Sequence, residues 1–497
     1  MSKTYLIHAP AELQSQRSAA LLSMLEKLLP VKFSYSPEHQ PEIRGEILTT
    51  NVSRAAQRER RNVSSLGVPQ GQTAPNEGES VEIAVRFSDD PVVPFPFRGR
   101  SLRTKVSAQP TILSLSRDEK PLAICELGPV WAISQGEAAK HFRSGFALPV
   151  LPADGGLLAV LSCRRFLEML PLLHWLREIC VSASPVDPPL RACFIFDDPN
   201  LHWPRYGFVD YRQLAVQAER QNYHVSFATI PLDTWFTHRG TADTFRKHRS
   251  RLSLLVHGNN HTKREFAQPY AEPERVLLLK QAIQRIERLE HRSGLAVSRV
   301  MVPPHGACSE EMLAALPVCG FEAACISHES LRAHNKSRAW TKTLGFLPSE
   351  LIRGCPVLPR WGVSGDLKNT ILLAAFLKQA IILRGHHQDL KNGPELLDEL
   401  AEFVNGLGSV EWLNMTDMAR SKYQVSSSEA REIVGVNGSS LKPSLGEVVD
   451  LESATRASLQ VALNQSAGMK ARGRYRATFS LIRRLLTEGR DRLLLTR

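Results

Sequence analysis

Two adjacent carboxylates end an apolar run in Ala192-Cys193-Phe194-Ile195-Phe196-Asp197-Asp198-Pro199-Asn200. Side-by-side carboxylates at a strand end can divide labour, one binding a metal while the other moves a proton. A second polar group follows the apolar run Leu252-Ser253-Leu254-Leu255-Val256, in His257-Gly258-Asn259-Asn260-His261. Histidines four apart share one side of a helical turn and can reach one cation. With Asp198 as third ligand they would make a two-histidine, one-carboxylate set with positions left open for water and substrate, suited to zinc or another divalent ion. Gly258 stands where a His-Glu-x-x-His protease would carry its base, so the base must come from elsewhere, and Asp197 is the adjacent candidate. Two more apolar runs end in polar groups. Arg299-Val300-Met301-Val302 leads into Pro303-Pro304-His305-Gly306, a rigid turn able to wall a pocket, and Ala380-Ile381-Ile382-Leu383 leads into Arg384-Gly385-His386-His387.

These four runs recur within a regular alternation. From residue 191 onward, apolar runs at 193–196, 224–230, 252–256, 297–302, 322–326, 380–383 and 409–413 alternate with helical periodicity at 211–221, 241–248, 273–292, 310–316, 370–379 and 394–405. Strands separated by helices form a parallel sheet with right-handed crossovers. About seven such strands favour a barrel, which gathers the strand ends on one face.

The flanking regions read less clearly. Residues 1–188 look like a mixed α/β region, with a helix over 13–29, strands at 31–35, 122–125 and 157–161, a helix over 166–179, and a Gly/Pro/Ser-rich loop over 62–80. Asp89-Asp90-Pro91 repeats the acidic pair, but with no metal-ligand spacing after it, and reads as a turn. Residues 421–497 read as a small β and helical extension, with a turn at Asn437-Gly438. From Lys470 to the last residue nine basic side chains face two acidic ones, a local +7 out of a net +12. This basic tail, with an amphipathic helix over 475–486, would suit weak contact with an anionic surface or a docked terminal helix.

Hydrophobic content of 43% and charged content of 23% are those of a globular protein. The longest apolar stretch, 371–383, is interrupted by Lys378 and Gln379 and too short to span a bilayer. The eight cysteines form no Cys-x-x-Cys pair, and several lie in apolar runs. With no apolar leader at Met1–His8, they read as reduced thiols of a cytoplasmic chain.

Residues 191–420 resemble the polysaccharide deacetylase family, carbohydrate esterase family four. The resemblance rests on the Asp197-Asp198 pair, on His257-x-x-x-His261, on Pro303-Pro304-His305-Gly306, and on the histidine pair after 380–383. It implies an α/β fold, a distorted (β/α) barrel of the deacetylase type over 189–420, between the N-terminal α/β region and the C-terminal extension. It implies Asp197 as general base, Asp198, His257 and His261 as ligands of a zinc ion, and His386 or His387 as catalytic acid. The expected activity is hydrolysis of an acyl group from a carbohydrate or related N-acyl substrate. Pro303, Pro304 and His305, with Trp203 and Tyr206 from the block after the acidic pair, would contact that substrate. Three departures stand out. Pro199 replaces the usual Gly, Arg384-Gly385 precede the histidine pair, and Val302 occupies the place of the arginine that pairs with the base. On that reading Asp197 lacks a charge partner and its pKa lies higher than in relatives. A barrel that kept carbohydrate binding or a regulatory role but lost turnover is the alternative.

Overall fold

The computed structural model describes residues 4–15, 18–35, 42–49, 63–69, 80–136, 139–152, 156–162, 165–180, 189–363, 367–421, 423–425 and 433–435. The first sheet contains β1 (Tyr5–His8), β2 (Val31–Ser34), β3 (Ile43–Thr49), β4 (Ser64–Val68), β5 (Val81–Phe87), β6 (Ser101–Val106), β7 (Glu119–Cys125), β8 (Gly128–Gln135) and β9 (Lys140–Ser144). Its order is β2-β1-β3-β4-β9-β8-β7-β5-β6, parallel through β9 and antiparallel beyond.

Two expectations fail here. The Gly/Pro/Ser-rich stretch 62–80 hides β4, whose Leu66 and Val68 are buried between β3 and β9. A five-residue strand enclosed by neighbours takes its stability from them, and window composition does not register that. The strand expected at 157–161 is instead a short 3-10 turn, Leu157–Ala159. Short apolar runs are ambiguous by periodicity, and tertiary packing decides them. Leu158 of this turn packs where a side chain at Gly345 would stand.

The second sheet holds the site. It is built from β10 (Leu190–Asp197), β13 (Val225–Thr229), β14 (Leu252–His257), β15 (Val297–Val302), β16 (Ala323–Cys325), β17 (Glu350–Ile352), β18 (Cys355–Leu358), β19 (Trp361–Gly362), β20 (Ile381–Gly385) and β21 (Val410–Trp412). A small antiparallel pair, β11 (Arg205–Tyr206) and β12 (Val209–Asp210), lies in the loop after β10. The order is β17-β18-β16-β15-β14-β13-β10-β20-β19, parallel except for β17, and curled as in the expected distorted barrel. Its curl is joined by one segment of chain. Strand β18 pairs with β16, Pro359-Arg360 follow, and β19 then pairs with β20 on the far side.

Alternation along the strands separates inside from outside. Cys193, Ile195, Ala228, Leu255, Val300, Val302, Leu358 and Ile382 form one buried cluster with Met415 and Met418 of the helix Met415–Arg420. Phe194, Phe196, Phe227, Leu254 and Met301 join a second core that runs under the helices and into the first sheet. Counting by two from the inner cluster, Ile195 leads to Asp197, Leu255 to His257 and Leu358 to Arg360. All three polar residues therefore share the inner face at one end of the strands. Beyond the barrel, strands β22 (Tyr423–Val425) and β23 (Ile433–Gly435) pair antiparallel. The turn at 437–438 and the tail helix over 475–486 lie outside the described residues.

Burial also sets the acid sensitivity of the fold. His174, wedged between the edges of Trp131 and Phe142, His224 and His328 are each pushed down to about 4 by burial. Burial pushes Glu350, 3.9 Å from His328, up to about 7. An unfolded histidine binds a proton below about 6.5, so in the interval down to about pH 4.5 the unfolded chain holds three extra protons on these histidines and lacks the one on Glu350. The net excess makes stability fall on acidification by at most about 2.7 kcal/mol per pH unit in that window. Thermal midpoints of metal-free protein across pH 4.5–6.5 check this, and a flat profile contradicts it.

Candidate metal and catalytic centre

The expected ligands meet. Asp198 Oδ1 lies 3.3 Å from His257 Nε2 and 3.1 Å from His261 Nε2, and the three ligand atoms lie within 4.8 Å of one another. Two ligands about 2.0–2.2 Å from a tetrahedral ion stand about 3.3–3.6 Å apart, so the spacing fits. The donors fit as well. His257 Nδ1 sits 2.9 Å from the Val302 carbonyl, which only accepts, so Nδ1 carries the hydrogen and a neutral ring turns the Nε2 lone pair toward Asp198. Asp198 Oδ1 is buried without a hydrogen-bond donor. A neutral His257 so oriented is placed to share a cation with Asp198. Burial pushes the Asp198 carboxyl up, but with no metal bound the two histidines, when protonated, donate to it and outweigh burial, holding it well below the ordinary carboxylate range.

The route by which the histidines meet differs from the helical turn their spacing implied. His257 ends β14, and a loop with left-handed backbone at Gly258 (φ 62°) and His261 (φ 53°) returns the second ring to the first, their centroids 5.0 Å apart. A side chain at Gly258 would collide with Pro304 and Glu265, which is where the Pro-Pro turn meets the metal loop. The fully buried Glu265 organises that loop, accepting from the backbone N–H groups of Asn259, Asn260 and His261 at 3.0, 2.8 and 3.2 Å. Arg285 Nη1 donates to both asparagine side chains at 2.6 and 2.7 Å. Asp198, His261 and His305 are three of seven described non-glycine residues with positive φ. Strain of this kind persists where surrounding structure enforces it, often at functional sites.

Asp197 is not without a partner, as Val302 had implied. Arg360 Nη1 donates to both of its carboxylate oxygens, at 2.8 and 3.0 Å, and both residues are 3% exposed. Burial raises the Asp197 carboxyl, but Arg360 and then His257 bring it below its ordinary value. The expected upward shift is therefore overturned. The guanidinium arrives from the segment joining β18 to β19, while Val302 fills the inner core and offers its carbonyl to His257. Sequence reading passed over Arg360, although Cys355-Pro356-Val357-Leu358 ends in Pro359-Arg360 much as the other apolar runs end in polar groups.

Tyr206 belongs to this centre. Its hydroxyl donates to the Asp197 carbonyl at 2.5 Å and accepts from the His387 backbone N–H, tying the ends of β10 and β20 together. The His387 ring packs on Tyr206 (centroids 4.9 Å) and Phe208 (5.7 Å), above Gly207, where any side chain would strike it. His387 Nδ1 is buried without a partner. His386 instead begins a short helical turn, its N–H donating to Asp389 Oδ2 at 2.7 Å. His305 is exposed beside His261, ring centroids 5.0 Å apart, over the buried Pro303 and Pro304. Trp203 stands 58% exposed on the rim, its carbonyl accepting from Thr241 Oγ1.

No family model matches this sequence, and no curated protein matches it in sequence. Solved structures do match. The carbohydrate deacetylase Agd3 aligns over 86% of this chain and 90% of its own, with a TM-score of 0.53 at 11% identity. A family 4 carbohydrate esterase from Streptomyces lividans, in complex with acetate, aligns over 46% of this chain and 94% of its own (TM-score 0.29, 8% identity). A family 4 pseudoenzyme from Bacillus anthracis aligns over 46% and 66% (TM-score 0.30, 10% identity). The match to Agd3 covers most of both chains, and this chain shares the fold of that carbohydrate deacetylase.

Proposed function

We propose that this protein is a zinc-dependent hydrolase that removes an acetyl or other acyl group from a carbohydrate or related N-acyl substrate. The observation that carries this reading is the convergence of Asp198, His257 and His261 on one point beside a buried, ionised Asp197. A zinc ion held by Asp198, His257 and His261 would supply Lewis acidity there. Asp197 accepts a proton from the attacking water, with Arg360 keeping the carboxylate ionised and oriented. His387 donates to the leaving amine or alcohol, and Tyr206 holds it at a set distance from Asp197. Pro303, Pro304 and His305 wall the other side of the acyl group. The seven described cysteines are free and buried, which supports a reducing, cytoplasmic setting. No described helix is long and apolar enough to cross a membrane.

A second reading draws on the same ion pair. Both Asp197 oxygens already accept from Arg360 in a nearly dry position, as in a purely structural pair, which would leave a carbohydrate-binding or regulatory barrel without turnover.

Metal content and acetate release separate these readings. The protein is expected to retain close to one divalent ion per chain after zinc reconstitution and dialysis, and His257→Ala or His261→Ala to abolish retention. Acetate should be released from at least one of a panel of N- and O-acetylated sugars. A metal-free wild type defeats the hydrolase reading, and metal retention with no acetate release favours the second one.

A further inference from the structure

The chain leaves β14 through a loop whose backbone is costly to hold. Between Gly258 and Glu265 three residues are left-handed, Gly258 at φ 62°, His261 at φ 53° and Arg264 at φ 51°. The last two carry side chains, which disfavour that conformation. Asn259 and Glu265 are fully buried, so the polar groups of the loop must find partners inside the protein. Three successive backbone N–H groups, those of Asn259, Asn260 and His261, converge on one concavity, and the Glu265 carboxylate fills it. Concavities of this kind commonly bind free anions. Here the chain supplies its own, four residues beyond the second histidine.

The two histidine ligands are held by different means. His257 closes β14, and its Nδ1 is fixed by the Val302 carbonyl. His261 stands outside any strand, and its N–H donates to Glu265. The rest of the loop is tied from several sides. Arg285, in the helix Glu272–Ser293, holds the side chains of Asn259 and Asn260 and lies within reach of the Glu265 charge. Asn259 Nδ2 donates to Gln281 Oε1 of the same helix at 2.8 Å, and the Leu232 N–H donates to the Asn259 carbonyl at 3.0 Å. Beyond the histidine the loop closes on itself, with the Glu265 N–H donating to the Thr262 carbonyl at 3.1 Å and the Ala267 N–H to the Arg264 carbonyl at 3.0 Å. A side chain at Gly258 would come within 2.6 Å of Glu265 Oε2, so the strand end and the carboxylate are fitted to each other.

We infer that Glu265, backed by Arg285, is a positioning residue of the metal centre: its carboxylate holds His261 in the left-handed conformation that turns Nε2 toward Asp198, and zinc affinity depends on it. The inference rests on the metal centre of the proposed hydrolase. Glu265 bonds the backbone of the loop and acts through His261. An amide at 265 offers one acceptor oxygen, and its NH2 group would face a donor. At least one buried N–H is then left without a partner, and the loop gains by leaving its left-handed conformation. His257 and Asp198 stay where β14 and β10 put them, so one ligand of the three is displaced.

Glu265→Gln tests this, with zinc affinity measured by competition against a chromophoric chelator and folding checked by circular dichroism. Affinity should fall about 10–100-fold, the usual effect of losing a group that orients a metal ligand. Arg285→Met and Gly258→Ala should each lower it as well, by loosening the same loop from its other sides. Glu168→Gln is the control. That carboxylate is also buried but accepts from Ser107 beside the first sheet, so its loss should cost stability and leave zinc affinity unchanged. A second readout needs no metal. In metal-free protein, trypsin should cut after Lys263 or Arg264, both exposed in the loop, faster in Glu265→Gln than in the wild type, with the fragments identified by mass. Unchanged zinc affinity in a folded Glu265→Gln overturns the inference, as does an equal loss in Glu168→Gln or unaltered cleavage of the loop. If Glu265→Gln does not fold, Gly258→Ala and Arg285→Met decide, and unchanged affinity in both overturns it. A wild type that binds no zinc defeats the hydrolase reading and this inference together. A zinc-binding wild type beside an insensitive Glu265→Gln defeats this inference alone.

Discussion

Asp197→Asn is expected to keep its zinc and to lose turnover by about 10²–10⁴-fold, the usual contribution of a positioned general base. Asp198→Asn, one residue along, is expected to fail in a different way, by losing metal. Both side chains are carboxylates on consecutive residues, so the contrast comes only from where each points. Asp197 continues the inner face of β10 after Cys193 and Ile195 and meets Arg360. Asp198, at φ 59°, leaves the strand direction and meets the two imidazoles. An amide at 197 cannot accept a water's proton, whereas an amide at 198 removes the one negative charge of the ligand set. The comparison is made on metal-loaded protein, with zinc measured in each variant and acetate release followed on the acetylated-sugar panel. Measurable hydrolysis left unchanged by Asp197→Asn would remove that residue as the base. Zinc retained at wild-type affinity by Asp198→Asn would remove Asp198 as a ligand.

Arg360→Met is expected to be among the most damaging single substitutions in the barrel. It strands the Asp197 carboxylate at 3% exposure with no guanidinium, and breaking a buried pair from one side typically costs about 3–5 kcal/mol. The wild-type pair is not itself worth that much, since most of the loss is the cost of an unpaired buried charge. Combining Arg360→Met with Asp197→Asn should therefore recover part of the stability, giving a coupling energy well above zero in a double-mutant cycle. Chemical unfolding of metal-free protein measures this without the linkage that zinc binding adds. Additive losses, or a cost for Arg360→Met below about 1 kcal/mol, would show that the two groups do not depend on each other. If Arg360 also orients the base, metal-loaded Arg360→Lys should keep more turnover than Arg360→Met at matched zinc content. A single ammonium can restore the charge, though not the planar fork.

How the site came to be readable follows from these residues. Asp197-Asp198, His257 and the Pro-Pro turn each close a short continuous apolar run, and such a run is a local property that sequence displays directly. The alternation of strands and helices then implied a parallel curled sheet that gathers those ends, and Asp198, His257 and His261 do converge there. Tertiary structure alone decided the rest. Spacing put His257 and His261 on a helical turn, but the buried carboxylate of Glu265, six or fewer residues away in sequence, captures the backbone N–H groups and forces a left-handed loop instead. Strand β4 looked like a loop by composition because its burial comes from β3 and β9, which are remote in sequence. The proposal of His387 rather than His386 as the acid draws on Tyr206, a contact across the gap between two strand ends. Arg360 is the sharpest case. An arginine in sequence carries no sign of the carboxylate it will meet 163 positions away. That partner was set only when the segment joining β18 to β19 brought its inward face against the end of β10, because sheet closure, unlike a run of apolar residues, is a property of the whole chain.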